Sequence, residues 1–115
     1  MIRGEIWWAD FGIPFGSEPG FKRPIIIVQD DNFNQSNINT IIVVPLTTNL
    51  LLEDAPGNVL IDKEDSTLSK DSVAVVSQLY AIDKSRIIEK VKKIDTALMD
   101  QIEQGLLLVL GIRKV

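Results

Sequence analysis

The chain has 115 residues, 45% of them hydrophobic, a net charge of −4 at pH 7, and neither cysteine nor histidine. That size and apolar content suit one compact domain over residues 1–115, while the missing residue types exclude disulfides, thiol nucleophiles, catalytic imidazoles and the two commonest zinc ligands. No apolar run approaches the ~18 residues of a membrane span, and Met1 leads into a strand-like segment rather than a cleavable leader, so no membrane partner is expected and a cytoplasmic location fits the absence of cysteine.

Taken in chain order, Gly4 to Asp10 (GEIWWAD) is aromatic and β-prone. Trp7 and Trp8 fall on opposite faces of that strand, one toward a core and the other toward a surface or interface. Gly12, Pro14, Gly16, Pro19 and Gly20 then make a long loop, followed by the β-branched run Ile25 to Val28. The Asn-rich stretch Asn32 to Asn39 reads as a turn, and Ile41 to Val44 as a strand that Pro45 ends or bulges. After a turn at Pro56, Gly57 and Asn58 comes a further strand, VAVVSQLYAI, interrupted by Gln78.

Between Lys84 and Lys93 stand five cations, Lys84, Arg86, Lys90, Lys92 and Lys93, opposed only by Glu89. They guard a sheet edge or face a ligand. From Asp95 the pattern changes period: Leu98, Ile102, Leu106 and Val109 recur at helical spacing, with Asp95 as N-cap and Gly111 just past the end. Leu106 to Leu110 is apolar all round and is expected in the core, or else against another chain. Strands first and one helix last predict an α+β plan built on a small, strongly twisted antiparallel sheet or barrel.

Chemistry concentrates in few places. The loop GSEPGFKRP, Gly16 to Pro24, is long enough to carry function; Arg23, pushed toward an extended conformation by Pro24, can aim a guanidinium into a cleft. Glu18 and Lys22 are either its companions or plain surface charge. Thr47 and Thr48, after the IIVVPL run, reach a ligand or close a turn. Gln78 in an apolar strand is either a satisfied structural amide or part of a site. Asp30 and Asp31, and the run Asp62 to Asp65, lack metal-ligand spacing and read as solvated turns.

The succession RGEIWWADF, GSEPGFKRPIIIVQDD, VVPLTT, KDSVAVVSQLYAIDKSRI and a closing helix resembles the MazF/PemK toxins over essentially the full chain. The loop GSE followed by RP is its most specific element. The resemblance implies an SH3-like antiparallel β-barrel with a C-terminal α-helix, a homodimer, a cognate antitoxin as partner, and a sequence-specific endoribonuclease that cuts single-stranded mRNA without a metal or other cofactor. It implies Arg23 and Thr47 as the catalytic pair, and places Ser17, Glu18 and Gln78 at the RNA groove with Lys22 beside the arginine.

Physically, RNA brings its own nucleophile, the 2′-hydroxyl, so the enzyme need only align the attack and stabilise charge as a 2′,3′-cyclic phosphate and a 5′-hydroxyl form. Arginine and threonine suffice for that, as cation and hydrogen-bond donor. A guanidinium is ordinarily always protonated, so Arg23 is not assigned as the base. The runner-up is a CcdB-like toxin, which shares the barrel but binds DNA gyrase without nuclease activity; the chain has no tryptophan at the end of its helix, where that family engages its target.

Overall fold

The structure is a computed structural model that describes residues 1–113. Seven strands, β1 (Glu5–Asp10), β2 (Lys22–Ile27), β3 (Thr40–Thr47), β4 (Val59–Ile61), β5 (Ser72–Ala74), β6 (Tyr80–Asp83) and β7 (Ile87–Lys93), form its sheet. Two one-turn helices, α1 (Asp31–Asn34) and α2 (Lys63–Ser66), sit in the connections, and the long helix α3 (Thr96–Leu110) follows the last strand. All pairings are antiparallel, in the order β4-β5-β3-β2-β1-β7, with β6 also on β3. The sheet curls into a half-barrel capped by α3, which is the α+β plan expected.

β3 is where the sheet branches. One of its edges pairs with β2; along the other, β6 covers Thr40 to Val43, and β5 covers Leu46 and Thr47. Pro45 lies at the gap between them. Its carbonyl accepts from Val75 N at 3.1 Å, so its ring nitrogen, which points to the same side, falls where no ladder bond is needed. Pro45 therefore neither ends the strand nor bulges it on the β2 side, where it pairs with Ile25. The segment VAVVSQLYAI is likewise not one strand: β5 stops at Ala74, a 3₁₀ turn covers Val76–Gln78, and β6 begins at Tyr80.

Two apolar clusters result from the curl. Ala9, Ile25, Ile27, Ile41, Val43 and Ile82 fill the inside of the half-barrel, with Trp7 packed against them. On the other face Ile6, Ile26, Val44, Leu46 and Val76 meet Leu98, Met99 and Ile102 of α3. The near-continuous apolar runs of β2 and β3 reflect this burial on both faces.

The caps of α3 are as the sequence indicated. The Asp95 carboxylate accepts from Leu98 N at 2.8 Å, and Gly111 takes a left-handed φ of 68° at the C-cap. Its last turn is not in the core: Leu108, Val109 and Leu110 are exposed, because the sheet beneath the helix ends near Leu106. The acidic pairs also differ from plain solvated turns. Asp30 caps α1 through Asn32 N, and Asp31 accepts from Arg3 N at 2.8 Å and Asn34 Nδ2 at 3.0 Å, bonds that hold its carboxyl below the usual carboxylate range. Asp62 to Asp65 form the start of α2.

α3 approaches the Pro56–Asn58 turn closely enough that backbone meets backbone. A Cβ on Gly105 would overlap the Gly57 carbonyl oxygen, and Gly57 itself holds φ at 85°. Asn58 fastens the turn, donating to Leu52 O at 2.9 Å and accepting from Val76 N at 3.1 Å. Helix propensity alone would make Gly105→Ala stabilising by ~0.5–1 kcal/mol. The contact reverses the sign: we expect a loss of ~1–3 kcal/mol, the usual range for overpacking, read as a lower midpoint in urea with an unchanged slope. A midpoint equal to or above wild type would show that the helix does not seat on this turn.

Candidate active site

The β2/β3 ladder runs from Ile27↔Val43 to Ile25↔Pro45. Continued two residues further, that register brings Arg23 level with Thr47. The ladder does not continue, because Leu46 and Thr47 have passed to β5, opposite Ala74 and Val73, while Arg23 and Lys22 stay with β1, opposite Ala9 and Asp10. The strands diverge, and a cleft of about 240 Å³ opens between them, lined by Trp8, Lys22, Arg23, Leu46, Thr47 and Thr48. Three of the expected site residues, Lys22, Arg23 and Thr47, thus come together.

Each polar group in the cleft retains donor capacity. Arg23 is half-buried; its Nε donates to Gly20 O at 3.2 Å, which fixes the plane of the guanidinium and leaves the two terminal nitrogens for a ligand. Among the described residues no acid lies within ion-pair distance of it. Thr47 Oγ1 accepts from Asn49 N at 3.2 Å, so its hydroxyl hydrogen is available to donate. A planar cation and a hydroxyl facing one small polar cleft suit a tetrahedral anion such as a phosphate diester.

Ser17, Glu18 and Gln78 do not line this cleft. They sit on the loop side: Gln78 Nε2 donates to Ser17 O at 3.4 Å, and Glu18 is exposed with its N bonded to Phe15 O. Gln78 is half-exposed at the end of a 3₁₀ turn, so its partner requirement is mild rather than that of a buried amide. Trp8, left open between interface and core, is a wall of the cleft, opposite Pro24 in the ladder. Thr48 joins it.

The cationic run is largely committed elsewhere. β7 is an edge strand, Lys90 pairs with Glu5 at 2.8 Å, Lys84 donates to Asn34 O and Ser36 O, and Arg86 donates to Asp10 O. Burial raises the Glu5 carboxyl, but hydrogen bonds from Lys90, Ile2 N and Trp7 outweigh it and hold the group below its ordinary value. Among the described residues no three acids converge as a metal site would require.

The sequence model of the family described as PemK-like, MazF-like toxin of type II toxin-antitoxin system matches residues 2–110. The chain is 36% identical over 112 residues to Endoribonuclease MazF2 of Mycobacterium bovis, spanning 97% of this chain and 98% of the relative. The same identity and coverage hold for Endoribonuclease MazF6 of Mycobacterium tuberculosis. Among solved structures, MazF (Form-I) from Deinococcus radiodurans superposes with a TM-score of 0.81 at 19% identity, covering 97% of each chain. A mycobacterial endoribonuclease in complex with its cognate antitoxin superposes at 0.80 with 20% identity, over 100% of this chain and 99% of that one.

Proposed function

We propose, since this chain belongs to the family of PemK-like, MazF-like toxins of type II toxin-antitoxin systems, that it is a toxin endoribonuclease whose substrate is single-stranded mRNA, cut at short sequences, and whose partner is a cognate antitoxin. The observation that carries the chemistry is the convergence of Arg23 and Thr47, both with uncommitted donors, on one cleft at the parting of β2 and β3. A non-enzymatic, gyrase-binding toxin is not favoured, because the relatives at 36% identity are endoribonucleases by name.

In this reading the scissile phosphate enters the cleft, the adjacent 2′-oxygen attacks phosphorus, and the 5′-oxygen departs. Arg23 binds the non-bridging oxygens through its terminal nitrogens and neutralises the charge that builds on them; the Thr47 hydroxyl donates to one of the same oxygens. Lys22 adds a second cation at the mouth. Ser17, Glu18 and Gln78, tied by the Gln78–Ser17 bond, form the wall along which the strand leaves. No metal or other cofactor is required, because the cation is supplied by the protein and the nucleophile by the substrate.

The active form is a homodimer. Val28, Phe33, Ile42, Leu79, Leu106 and Leu110 line an apolar depression of about 370 Å³, and Phe33, Ile42 and Leu110 are exposed on it. Such a contiguous apolar surface is costly in water and is covered by a second copy presenting the same patch. Sedimentation at micromolar concentration is expected to report two chains for wild type and one for Leu110→Glu. A monomeric wild type would remove this assignment.

Arg23→Ala and Thr47→Ala should each reduce RNA cleavage by at least ~10²-fold, the scale for losing one oxyanion donor, with circular dichroism and sedimentation unchanged. A folded Arg23→Ala protein of full activity would mean that Arg23 does not stabilise the charge on phosphorus.

The nucleophile is tested directly by a substrate with one deoxyribose 5′ of the scissile phosphate, assayed in excess EDTA. The unmodified RNA should be cut to a 2′,3′-cyclic phosphate and a 5′-hydroxyl, and the deoxy bond should stay intact while binding barely changes. A 5′-phosphate product, cleavage of the deoxy bond, or loss of all cleavage in EDTA would each require water or a metal ion in place of attack by the 2′-oxygen.

A further inference from the structure

The loop between β1 and β2 displays three large apolar side chains that join neither core: Ile13 is 89% exposed, Phe15 84% and Phe21 64%. Phe21 holds a φ of 57°, a left-handed conformation that bulky L residues avoid. The conformation turns its ring out rather than into the barrel. Neither Phe15 nor Phe21 contacts another aromatic among the described residues, where the one aromatic pair is Phe11 with Tyr80. Two open π-faces therefore stand beside Lys22 and Arg23.

The loop is held, not loose. Phe21 N donates to Gly12 O at 2.5 Å, Phe11 N donates to Phe21 O at 2.9 Å, and Gly12 N donates to the Asp10 carboxylate at 2.8 Å. Pro14 lies over Gly20 so closely that any Cβ there would overlap its ring, and Gly20 O is the acceptor that orients Arg23. A continuous set of contacts thus runs from the Arg23 guanidinium through Gly20 and Pro14 to the residue that follows, Phe15. Side chains preordered on such a loop lose little freedom when a ligand covers them.

We propose that Phe15 and Phe21 are a stacking platform for unpaired bases flanking the scissile phosphate, and so contribute binding and sequence preference rather than chemistry. The inference rests on the ribonuclease reading. Stacking favours nucleic acid over a protein partner as the occupant: exposed aromatic rings next to unpaired cations match the alternation of base and phosphate along a single strand.

The test uses a fluorescently labelled 2′-fluoro copy of an RNA that the wild type cuts, which lacks the nucleophile, with affinity read by anisotropy. Phe15→Ala and Phe21→Ala should each weaken binding by about 5- to 150-fold, the range for losing one base–aromatic stack, and raise KM with little change in kcat. Phe15→Leu and Phe21→Leu should weaken it comparably, since they keep apolar bulk but have no π-face. Phe15→Trp should restore affinity, with its emission quenched on binding, and Ile13→Ala should change affinity less than about 2-fold by the same reasoning. Phe21→Gly relieves the backbone and removes the ring; a raised Tm with weakened RNA binding separates binding from folding. If wild type cuts RNA while the leucine variants bind as tightly as wild type, the platform is overturned and the ribonuclease reading stands. If they lose antitoxin affinity and keep RNA affinity, the loop is a protein-docking surface and the inference fails. If wild type neither binds nor cuts RNA, the functional reading falls and this inference with it.

Discussion

The exchange of partners along β3 is the constraint on which the rest of the structure depends. A strand buried on both faces must satisfy its backbone along both edges, and β3 does so with three neighbours: β2 on one side, and β6 and then β5 on the other. The exchange leaves one position whose N–H would meet no acceptor, and Pro45, which has none, occupies it. Beyond that point β3 leads toward the small sheet of β4 and β5 while β2 remains with β1. The cleft is the space left by their divergence, so its two principal side chains are set by the ladder behind them rather than by the loops they border.

The same divergence shapes the far side of the molecule. Because β5 ends at Ala74, the chain turns through Val76–Gln78 before returning as β6, and that turn supplies Val76 to the cluster beneath α3. α3 then presses on the Pro56–Asn58 turn with no side chain between the backbones at Gly57 and Gly105. Two glycines, one asparagine and a buried valine join the helix to the small sheet. The helix outlasts the sheet beneath it, which is why its final turn presents Leu108 and Leu110 to the surface.

Electrostatically the protein is acidic, yet its cleft is not. Net charge acts over distances that salt screens within about 8–10 Å, so a polyanion at the cleft responds mainly to Lys22 and Arg23. The cations between Lys84 and Lys93 add less than their number suggests, since Lys90 is neutralised by Glu5 and Lys84 and Arg86 are bound to backbone carbonyls. The interior of the cleft offers a cation and a hydroxyl but no group suited to take a proton at neutral pH, a set that stabilises developing negative charge without activating water. That division of labour suits RNA, where the attacking oxygen belongs to the substrate.

Local chemistry is readable in the sequence because it is local. The β-branched runs of β2 and β3, the helical period from Leu98 with Asp95 and Gly111 at its ends, and the Gly- and Pro-rich loop before Arg23 all declare themselves within a few residues, and each is present as read. Arg23 and Thr47 are paired by sequence only through the likeness of whole motifs, since no spacing along the chain says that residues 24 positions apart share a cleft. Tertiary structure alone decided that Pro45 sits inside a strand, that VAVVSQLYAI breaks in two, that most of the lysine run is spent on edge contacts, and that the end of α3 is exposed. Each of these depends on which strand lies alongside and where a sheet stops, and strand pairing is a non-local choice made by burial and backbone satisfaction across the whole chain.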